Sequence, residues 1–503
     1  MFLIAQKRIL ELIGKLSDMA NIMWQLRDPA SAILDCLAAL DIIHSQLQQE
    51  EAIPGKTIEQ LHSIQISLKG FIRNNEPIKE SSARMLNTQL LFLKSFFQDE
   101  IKAKLNVVFF PYKASMWDSL ETVYEAAAKD QNCVVKVVPV PYYQLSQDRK
   151  VPLYEGERFP ATIPITHYST YDLEKEQPDI VFLHNIYDQH NTLTQVFETY
   201  FTSNLKKYTD MLVYVPYHIS SPFRPGKNEI RLAYNLPSIK YVDKVIFAGE
   251  FVEKEALKNG LPKDKILTLG SPKFDSILKA LNGDVEIPDE WRKIIEGKTV
   301  YLLNTGCLYF VTNPFLRTHR FTEFFSIPKI DAASVLIWRP HPLTEASILR
   351  YMPGLYEGYM QIKKWIKEAD PHCKNIILDE TDDYLVTLKI ADVLISGGSS
   401  ILDSYLLTGK KVLFWARKEP ETSLLPSNLF YYTHDEQEPW YELIKKFPRG
   451  YDPLADNRKG ITGKVYTNTD GTCGEKVYQA VKELVLKEKQ LQIGRRGLRH
   501  FQS

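Results

Sequence analysis

The chain has 503 residues, of which 44% are hydrophobic and 25% are charged. This length exceeds one ordinary hydrophobic core and predicts two or three domains. Lys plus Arg and Asp plus Glu both total 62, so the formal net charge is zero and no overall field draws the chain to nucleic acid. The five cysteines form no C-x-x-C pair, which argues against a disulfide framework or a thiolate zinc site and favours a reducing cytoplasm.

Residues 1–103 show helical periodicity, interrupted at Asp28-Pro29, Pro54-Gly55 and Pro77. The leucine and isoleucine stripes predict an up-and-down helical bundle that serves packing or oligomerisation, with docking to a partner or membrane as the alternative. No apolar run approaches the roughly 18 residues of a membrane span, so we expect only peripheral membrane contact.

From Leu105 onward, short β-branched and aromatic runs alternate with helical segments, in one series over residues 104–290 and a second over residues 291–503. This alternation predicts two doubly wound α/β units of the Rossmann type. Ligands of such units lie beyond the carboxyl ends of the strands, so we expect a site in the cleft between the two units. The second series comprises TVYLLN, SVLIWRPHP, NIILDE, DVLISGG and KVLFWA.

The strongest local motif joins the strand DVLIS to a helix through Gly397, Gly398, Ser399 and Ser400. Glycines allow backbone N–H groups to approach a ligand, serine hydroxyls add donors, and a helix N-terminus favours an anion. The motif therefore suits a phosphate or diphosphate. An ordinary tight turn with a serine N-cap explains the same residues.

Arg339 and His341 project from the stiff Arg-Pro-His-Pro loop that follows the strand SVLIW. Arg offers a permanent fork for phosphate oxygens, and His can donate to phosphate or move a proton near neutral pH. The alternative for His341 is a histidine satisfied by a neighbouring backbone group.

Two further motifs belong to the first series. His218, at the end of LVYVPYHI, is a candidate general base for an acceptor hydroxyl, or else a structural histidine. Gly270 and Lys273 lie in a Gly-Ser-Pro-Lys turn that either presents donors to an anion or merely connects two elements.

Other polar residues end strands where a two-unit transferase would contact its acceptor. They are Lys113, Ser115, His184, Asn185 and Asp188. The spacing of His184 and His190 around Asp188 could suggest a metal, but nothing elsewhere completes such a site, so we expect no metal. The absence of G-x-G-x-x-G after the first strand and of G-x-x-x-x-G-K-[ST] argues against nicotinamide, flavin and P-loop nucleotide sites.

Taken together, VDKVIFAGEFVEKEALKNGLPKDKILTLGSPKFD, IWRPHP, ADVLISGGSSILDSYLLTGKKVLFW and NTDGTCGEKVYQAV resemble the CDP-glycerol glycerophosphotransferase family of teichoic-acid polymerases and primases. The resemblance implies a GT-B-type fold and transfer of glycerol phosphate, or a related polyol phosphate, from a CDP-activated donor, with release of CMP. It places His341 near the donor phosphates, Ser399 and Ser400 at the phosphate-binding helix start, and His218 at the catalytic base.

The same resemblance implies that no cofactor is required and that the acceptor is a lipid-linked or polymeric hydroxyl at the inner face of the cell membrane. A basic C-terminal tail either meets anionic lipid there or is simply solvated. Its charged residues include Lys487, Lys489, Arg495, Arg496 and Arg499.

Two other readings stay open. Another GT-B enzyme, such as a glycosyltransferase or a UDP-sugar 2-epimerase, would share the layout, although an epimerase needs carboxylates at the strand ends. A catalytically degenerate scaffold would explain Asn304-Thr305 and Ile219, which stand where the family has a Pro-Thr-x-Arg segment and a glycine.

Overall fold

The structure, a computed structural model, describes residues 1–50, 54–74, 78–145, 149–220, 234–397, 399–415, 425–434 and 437–499, with side chains described up to Lys487. Gly398 and the basic side chains beyond Lys487 lie outside the described residues. The chain divides into two compact units. One comprises Met1–Val107 with Asp130–Val134, and the other comprises Val108–Lys129 with Val135–Ser503. The predicted boundary at residue 290 stays a prediction.

Twenty helices are described. They are α1 (Leu3–Ile22), α2 (Ala30–Leu47), α3 (Gly55–Asn74), α4 (Glu80–Glu100), α5 (Glu121–Ala128), α6 (Leu173–Glu176), α7 (Thr202–Leu205), α8 (Glu250–Lys258), α9 (Lys273–Asn282), α10 (Asp289–Ile295), α11 (Pro314–Phe325), α12 (Ile327–Ile330), α13 (Thr344–Tyr351), α14 (Tyr356–Lys367), α15 (Leu385–Ile390), α16 (Ser400–Tyr405), α17 (Trp440–Lys446), α18 (Ala455–Arg458), α19 (Ile461–Val465) and α20 (Cys473–Arg499).

Fifteen strands are described. They are β1 (Leu105–Phe110), β2 (Cys133–Val137), β3 (Tyr142–Leu145), β4 (Lys150–Leu153), β5 (Ile180–Leu183), β6 (Thr194–Val196), β7 (Met211–Tyr214), β8 (Lys244–Ile246), β9 (Ile266–Leu267), β10 (Thr299–Thr305), β11 (Ser334–Pro340), β12 (Ile376–Leu378), β13 (Val393–Ser396), β14 (Lys411–Phe414) and β15 (Tyr431–Tyr432).

The first unit contains α1 to α4, in which each helix packs against its sequence neighbours and α4 also packs against α1. Buried residues recur at helical spacing, as Leu40, Ile43 and Leu47 do in α2. The predicted helical N-terminal region is therefore confirmed.

Among the described helices, α2 is long and apolar enough to span a membrane when judged by length and composition alone, with a mean hydropathy of 1.3. The sequence interpretation missed this segment, whose only acidic residues are Asp35 and Asp41. Only 28% of the window is buried. Core helices of other proteins satisfy the same criterion, and α2 packs against α1 and α3.

Apart from residues 105–107 of β1 and 133–134 of β2, which fall in the first unit, the second unit contains both large sheets. The first has the strand order β2-β1-β5-β7-β8-β9, with β5, β7, β8 and β9 parallel. The second has the order β12-β11-β10-β13-β14-β15 and is parallel throughout. The second sheet has the Rossmann order, the first has the other common doubly wound order, and helices surround fully buried strands. The predicted α/β class with two Rossmann-like sheets is therefore confirmed.

A third, antiparallel sheet of β4-β3-β6 was not expected from the sequence. The run CVVKVVPVPYY predicts one strand, but the structure divides it into β2 and β3, which belong to different sheets. Pro139 and Pro141 lie between them, and proline cannot donate to a strand ladder.

The C-terminal helix α20 returns to the first sheet, where it packs against α5 and α9. Asp275 of α9 accepts the backbone N–H groups of Cys473 at 3.1 Å and Gly474 at 2.7 Å, and so satisfies two donors at the start of α20. A side chain at Gly474 would overlap Thr122 of α5, so this glycine permits the close approach of the two helices.

Candidate functional site

Direct contacts join the loops at the carboxyl ends of the two large sheets. Arg158 Nε donates to Asp382 Oδ2 at 3.0 Å, and the Tyr384 hydroxyl donates to Asp118 Oδ2 at 2.7 Å. The two sheets therefore present their strand-end loops to each other, as the prediction of a shared cleft requires.

In the second sheet, the strand order reverses at β10, which lies between β11 and β13. Asn304, near the end of β10, places its Oδ1 3.4 Å from the Ser399 hydroxyl and 3.5 Å from the Ser396 hydroxyl. Ser399 also accepts the Leu402 N–H at 3.3 Å and is the N-cap of α16, with Ser400 as its first residue. The Gly/Ser turn thus lies at the topological switch point, where ligands of such sheets bind.

His341 follows β11 on the other side of β10. Its backbone N–H donates to the Thr305 carbonyl at 2.9 Å, and its Nδ1 accepts the Leu343 N–H at 3.1 Å. Burial lowers the pKa of His341 to about 4, and the charges of Lys113 and Arg339 act in the same direction. The ring is therefore neutral at pH 7. Because Nδ1 accepts, Nε2 carries the hydrogen and is a donor.

His218 follows β7 and lines a pocket together with Ser220, Gly270 and Ser271. Burial lowers the pKa of His218 to about 4, with the Lys273 charge acting in the same direction. Its buried Nδ1 has no hydrogen-bond partner among the described residues. A neutral imidazole with an unused nitrogen can accept a proton or a hydroxyl hydrogen.

Tyr466 connects this pocket to α16. Its hydroxyl donates to the Ser220 carbonyl at 3.5 Å, and burial raises the pKa of this hydroxyl, with the Asp403 charge of α16 acting in the same direction. The histidine of the first sheet and the serine-capped helix of the second therefore belong to one contiguous region.

Lys273 and Gly270 occupy structural positions. Lys273 Nζ lies 2.9 Å from Asp118 Oδ2 and 4.9 Å from the centre of the Tyr384 ring, and is buried. Gly270 has φ of +99°, its N–H donates to the Phe247 carbonyl at 3.0 Å, and a side chain there would meet the Thr467 carbonyl. The sequence interpretation made both residues phosphate ligands, but here their donors serve the fold.

Arg339 is likewise engaged internally. Its guanidinium pairs with the fully buried Asp379, and Nη2 donates to the Thr381 carbonyl at 2.8 Å. This arrangement fixes the loop that carries His341, so we do not retain Arg339 as a direct phosphate ligand.

Two of the predicted acceptor contacts are structural. His184 is fully buried, its Nε2 accepts the Tyr112 N–H at 3.1 Å, and its Nδ1 lies 3.2 Å from the Met116 carbonyl. Burial lowers its pKa to about 3. Asp188 is also buried and accepts both the N–H and the hydroxyl of Thr202. Neither side chain is available to an acceptor.

Lys113, Ser115 and Asn185 remain partly exposed at the strand ends. Lys113 Nζ lies 4.9 Å from the centre of the Tyr142 ring, burial lowers its pKa, and its charge reaches His341. Asn185 Oδ1 accepts the Tyr187 N–H at 2.9 Å, which leaves its amide NH₂ for other contacts. Lys113 is therefore a cation of the first sheet that faces the His341 loop.

Gly397 lies against Trp415, since a side chain at Gly397 would come within 2.8 Å of the indole Nε1. That nitrogen is buried without a hydrogen-bond partner among the described residues. Arg317 lies over the same indole, 4.6 Å from the ring centre. Trp415 was given no role from the sequence, and Asn304 was noted only as a departure from a family pattern, although both lie within the predicted strand runs TVYLLN and KVLFWA.

Within the described ranges, no group of three or more His, Cys, Asp or Glu residues is placed to hold a metal ion. The expectation that the site uses no metal stays a prediction.

No protein-family model matches the chain, and no curated protein has a matching sequence. Solved structures with a similar two-sheet fold include UDP-GlcNAc 2-epimerase from Methanocaldococcus jannaschii, in complex with UDP-GlcNAc and UDP. It is 13% identical, covers 75% of this chain and 100% of its own, and has a TM-score of 0.49.

A second similar structure is UDP-GlcNAc 2-epimerase from Neisseria meningitidis bound to UDP-GlcNAc. It is 12% identical, covers 75% of this chain and 100% of its own, and has a TM-score of 0.47. A third is the H548A variant of the wall teichoic acid polymerase TagF, which is 14% identical, covers 86% of this chain and 99% of its own, and has a TM-score of 0.47. These similarities concern the fold alone, so the function has to be inferred from the site.

Proposed function

We propose that the chain is a transferase that uses a nucleoside-diphosphate-activated donor, and that it moves glycerol phosphate or a related polyol phosphate from a CDP-linked donor to a hydroxyl. One observation carries the proposal. The Asn304-Thr305 dipeptide contacts the Ser399 hydroxyl on one side and the His341 backbone on the other, at the switch point of the second sheet. Two phosphate-compatible groups thereby flank a single strand end, and adjacent strands lie about 4.8 Å apart.

The donor diphosphate fits between these two groups. His341 offers a neutral Nε2–H, which can donate to a phosphate oxygen without a charge of its own. Ser399 and Ser400 offer hydroxyls at the start of α16. Lys113 of the first sheet supplies positive charge toward the same loop. Donors fixed in place before the reaction stabilise the charge that develops on a leaving phosphate.

The acceptor step uses His218. The acceptor oxygen attacks the β-phosphorus of the donor, the bond between that phosphorus and the bridging oxygen breaks, and CMP leaves with the bond electrons. The hydroxyl proton passes to the unprotonated nitrogen of His218. The electron and proton count closes without a further cofactor, and positioning supplies much of the rate enhancement.

The nature of the acceptor and the location of the enzyme form a second part of the proposal. A lipid-linked or polymeric hydroxyl at the inner face of the cell membrane is the acceptor that the family resemblance implies. Oligomerisation through α1 to α4 stays a prediction from their apolar stripes.

Carboxylates at the strand ends weigh against a sugar epimerase. Asp118 pairs with Lys273, Asp188 binds Thr202, and Asp379 pairs with Arg339. An acid or base that abstracts a sugar proton must reach the sugar carbon, and these three groups are held by internal contacts.

Purified full-length protein, incubated separately with CDP-glycerol, CDP-ribitol and UDP-sugars plus a hydroxyl acceptor, tests the proposal. Release of CMP with formation of a new phosphodiester, followed by ³¹P NMR, is expected. Release of UDP would instead indicate a glycosyltransferase, and interconversion of UDP-sugars an epimerase. Nucleotide binding without turnover of any donor would indicate a scaffold.

A further inference from the structure

The pocket beside His218 has features that the donor site does not explain. Its polar lining includes His218, Ser220 and Ser271, and its walls include the apolar residues Val215 and Ile246. It lies beyond the carboxyl ends of β7 and β8, where His218 follows one strand and the turn before α9 closes the other side.

Two buried polar atoms in this lining lack hydrogen-bond partners among the described residues. They are His218 Nδ1 and Ser271 Oγ. Ser271 is only 5% exposed, so water has little access to its hydroxyl. Leaving buried polar groups unsatisfied is costly, so in native proteins an ordered water, an ion or a ligand usually completes such bonds.

The charge of the lining identifies the kind of ligand. Lys273, which follows the lining residue Pro272, pairs its Nζ with Asp118 Oδ2 at 2.9 Å. Among the lining residues that the structure describes, His218 is the only one with a titratable side chain, and its ring is neutral near pH 7. A phosphate would therefore meet no positively charged side chain among the described lining residues. A hydroxyl group would meet the Ser271 hydroxyl, which can donate and accept, and one imidazole nitrogen between apolar walls.

We infer that this pocket binds an uncharged, hydroxyl-bearing group of the substrate, with Ser271 and His218 as its hydrogen-bonding partners. Ser271 is thus a positioning residue for a polyol or sugar hydroxyl, a role that sequence analysis did not assign. This inference rests on the proposed function, because it adds a second subsite to the same reaction. The hydroxyl belongs either to the group carried by the donor or to the acceptor.

Calorimetry on the full-length protein separates the subsite from the nucleotide site. The probes are CDP-glycerol and CDP, and the variants are Ser271→Ala and Ser276→Ala. Ser276 is the matched control, since it is also buried, lies on α9, and its hydroxyl already donates to the Asp118 carbonyl at 3.2 Å. Free glycerol, followed by saturation-transfer NMR, serves as the probe for an acceptor hydroxyl.

Loss of one hydrogen bond is expected to weaken binding about five- to tenfold. If the donor carries the hydroxyl, S271A weakens the binding of CDP-glycerol by this factor and leaves the affinity for CDP unchanged. If the acceptor carries the hydroxyl, S271A removes the saturation-transfer signal of glycerol and leaves the affinities for CDP and CDP-glycerol unchanged. S276A is expected to change neither the nucleotide affinities nor the glycerol signal.

The inference would be overturned if S271A bound CDP-glycerol, CDP and glycerol as the wild type does. It would also be overturned if S271A lost equal affinity for CDP and for CDP-glycerol. Failure of the proposed function would give a different result, because the wild type would then bind neither nucleotide. The glycerol signals of the wild type and S271A could still be compared and would test whether the pocket binds a hydroxyl. Should S271A fold poorly in a thermal melt, Ser271→Cys keeps the shape, weakens the hydrogen bond, and is expected to act in the same direction.

Discussion

The backbone N–H of His341 donates to the carbonyl of Thr305 at 2.9 Å, across the edge between β11 and β10. Asn304, the residue before Thr305, contacts Ser399 beyond β13. The end of β10 thus fixes both the histidine and the serine turn through its own backbone and side chain. In this account, these two contacts define the donor site.

His341→Ala is expected to lower the rate of CMP release about 100- to 1,000-fold, the usual effect of removing one preorganised donor to a developing oxyanion. Thermal denaturation should show that the variant remains folded. The control is His372→Ala, because the His372 side chain is 87% exposed and lies outside the site. If H341A released CMP as fast as the wild type does, His341 would have no role in the mechanism.

Substitutions at Ser399 separate its capping role from phosphate binding. Ser399→Ala removes the N-cap and is expected to cost about 1 kcal/mol of stability, whereas Ser399→Asp retains a good cap. Asp nevertheless places a negative charge at the donor site, so S399D should bind CDP at least tenfold more weakly while its free energy of unfolding stays near that of the wild type. Undiminished CDP affinity in S399D would make this serine a helix cap alone.

Lys273→Met leaves Asp118 buried without its cation and is expected to destabilise the fold by about 3–5 kcal/mol in urea denaturation. The double variant Lys273→Met/Asp118→Asn should recover part of this loss, because both charges are then absent. Lys254→Met, in an exposed pair with Glu250, should cost less than about 1 kcal/mol.

These variants also test whether Lys273 binds phosphate. Since its charge is engaged by Asp118, folded K273M/D118N is expected to bind CDP as the wild type does. A large loss of CDP affinity in the double variant, at full stability, would restore Lys273 as a phosphate ligand.

The rate of transfer should depend on pH through His218. This base acts when unprotonated, and burial lowers its pKa to about 4. Therefore kcat/KM is expected to stay level as the pH falls from 7 to about 5 and to decline only as the pH approaches 4. A histidine with the ordinary value of 6.5 would already lose activity below pH 7. A decline centred near 6.5 would show that a different group, or a solvated His218, acts as the base.

Much of the architecture follows from sequence periodicity. Residues 335–338 and 393–395 are apolar throughout, as expected for strands buried on both faces, and both runs lie in strands of the structure. The antiparallel sheet of β3, β4 and β6 did not follow, because its strands are short and β4 is exposed throughout, so the hydrophobic pattern that marks a buried strand is missing.

A motif and its position in the strand order coincide at His341 and Ser399, which both contact the end of β10; their roles toward a substrate stay predictions. The roles of Arg339, Lys273 and His184 depend on partners far away in sequence, namely Asp379, Asp118 and the Tyr112 backbone. A cation is equally suited to phosphate and to a buried carboxylate, so its residue type alone does not distinguish the two. Ser271 was not identified from the sequence, because a hydroxyl can be recognised as buried and without a partner among the described residues only in the folded structure.

A crystal structure of the wild type soaked with CDP-glycerol tests the central claim most directly. We expect the diphosphate at the end of β10, with one oxygen within hydrogen-bonding distance of His341 Nε2 and another near the Ser399 and Ser400 hydroxyls. A nucleotide seated elsewhere, with His341 and the serine turn both unoccupied by phosphate, would contradict the account.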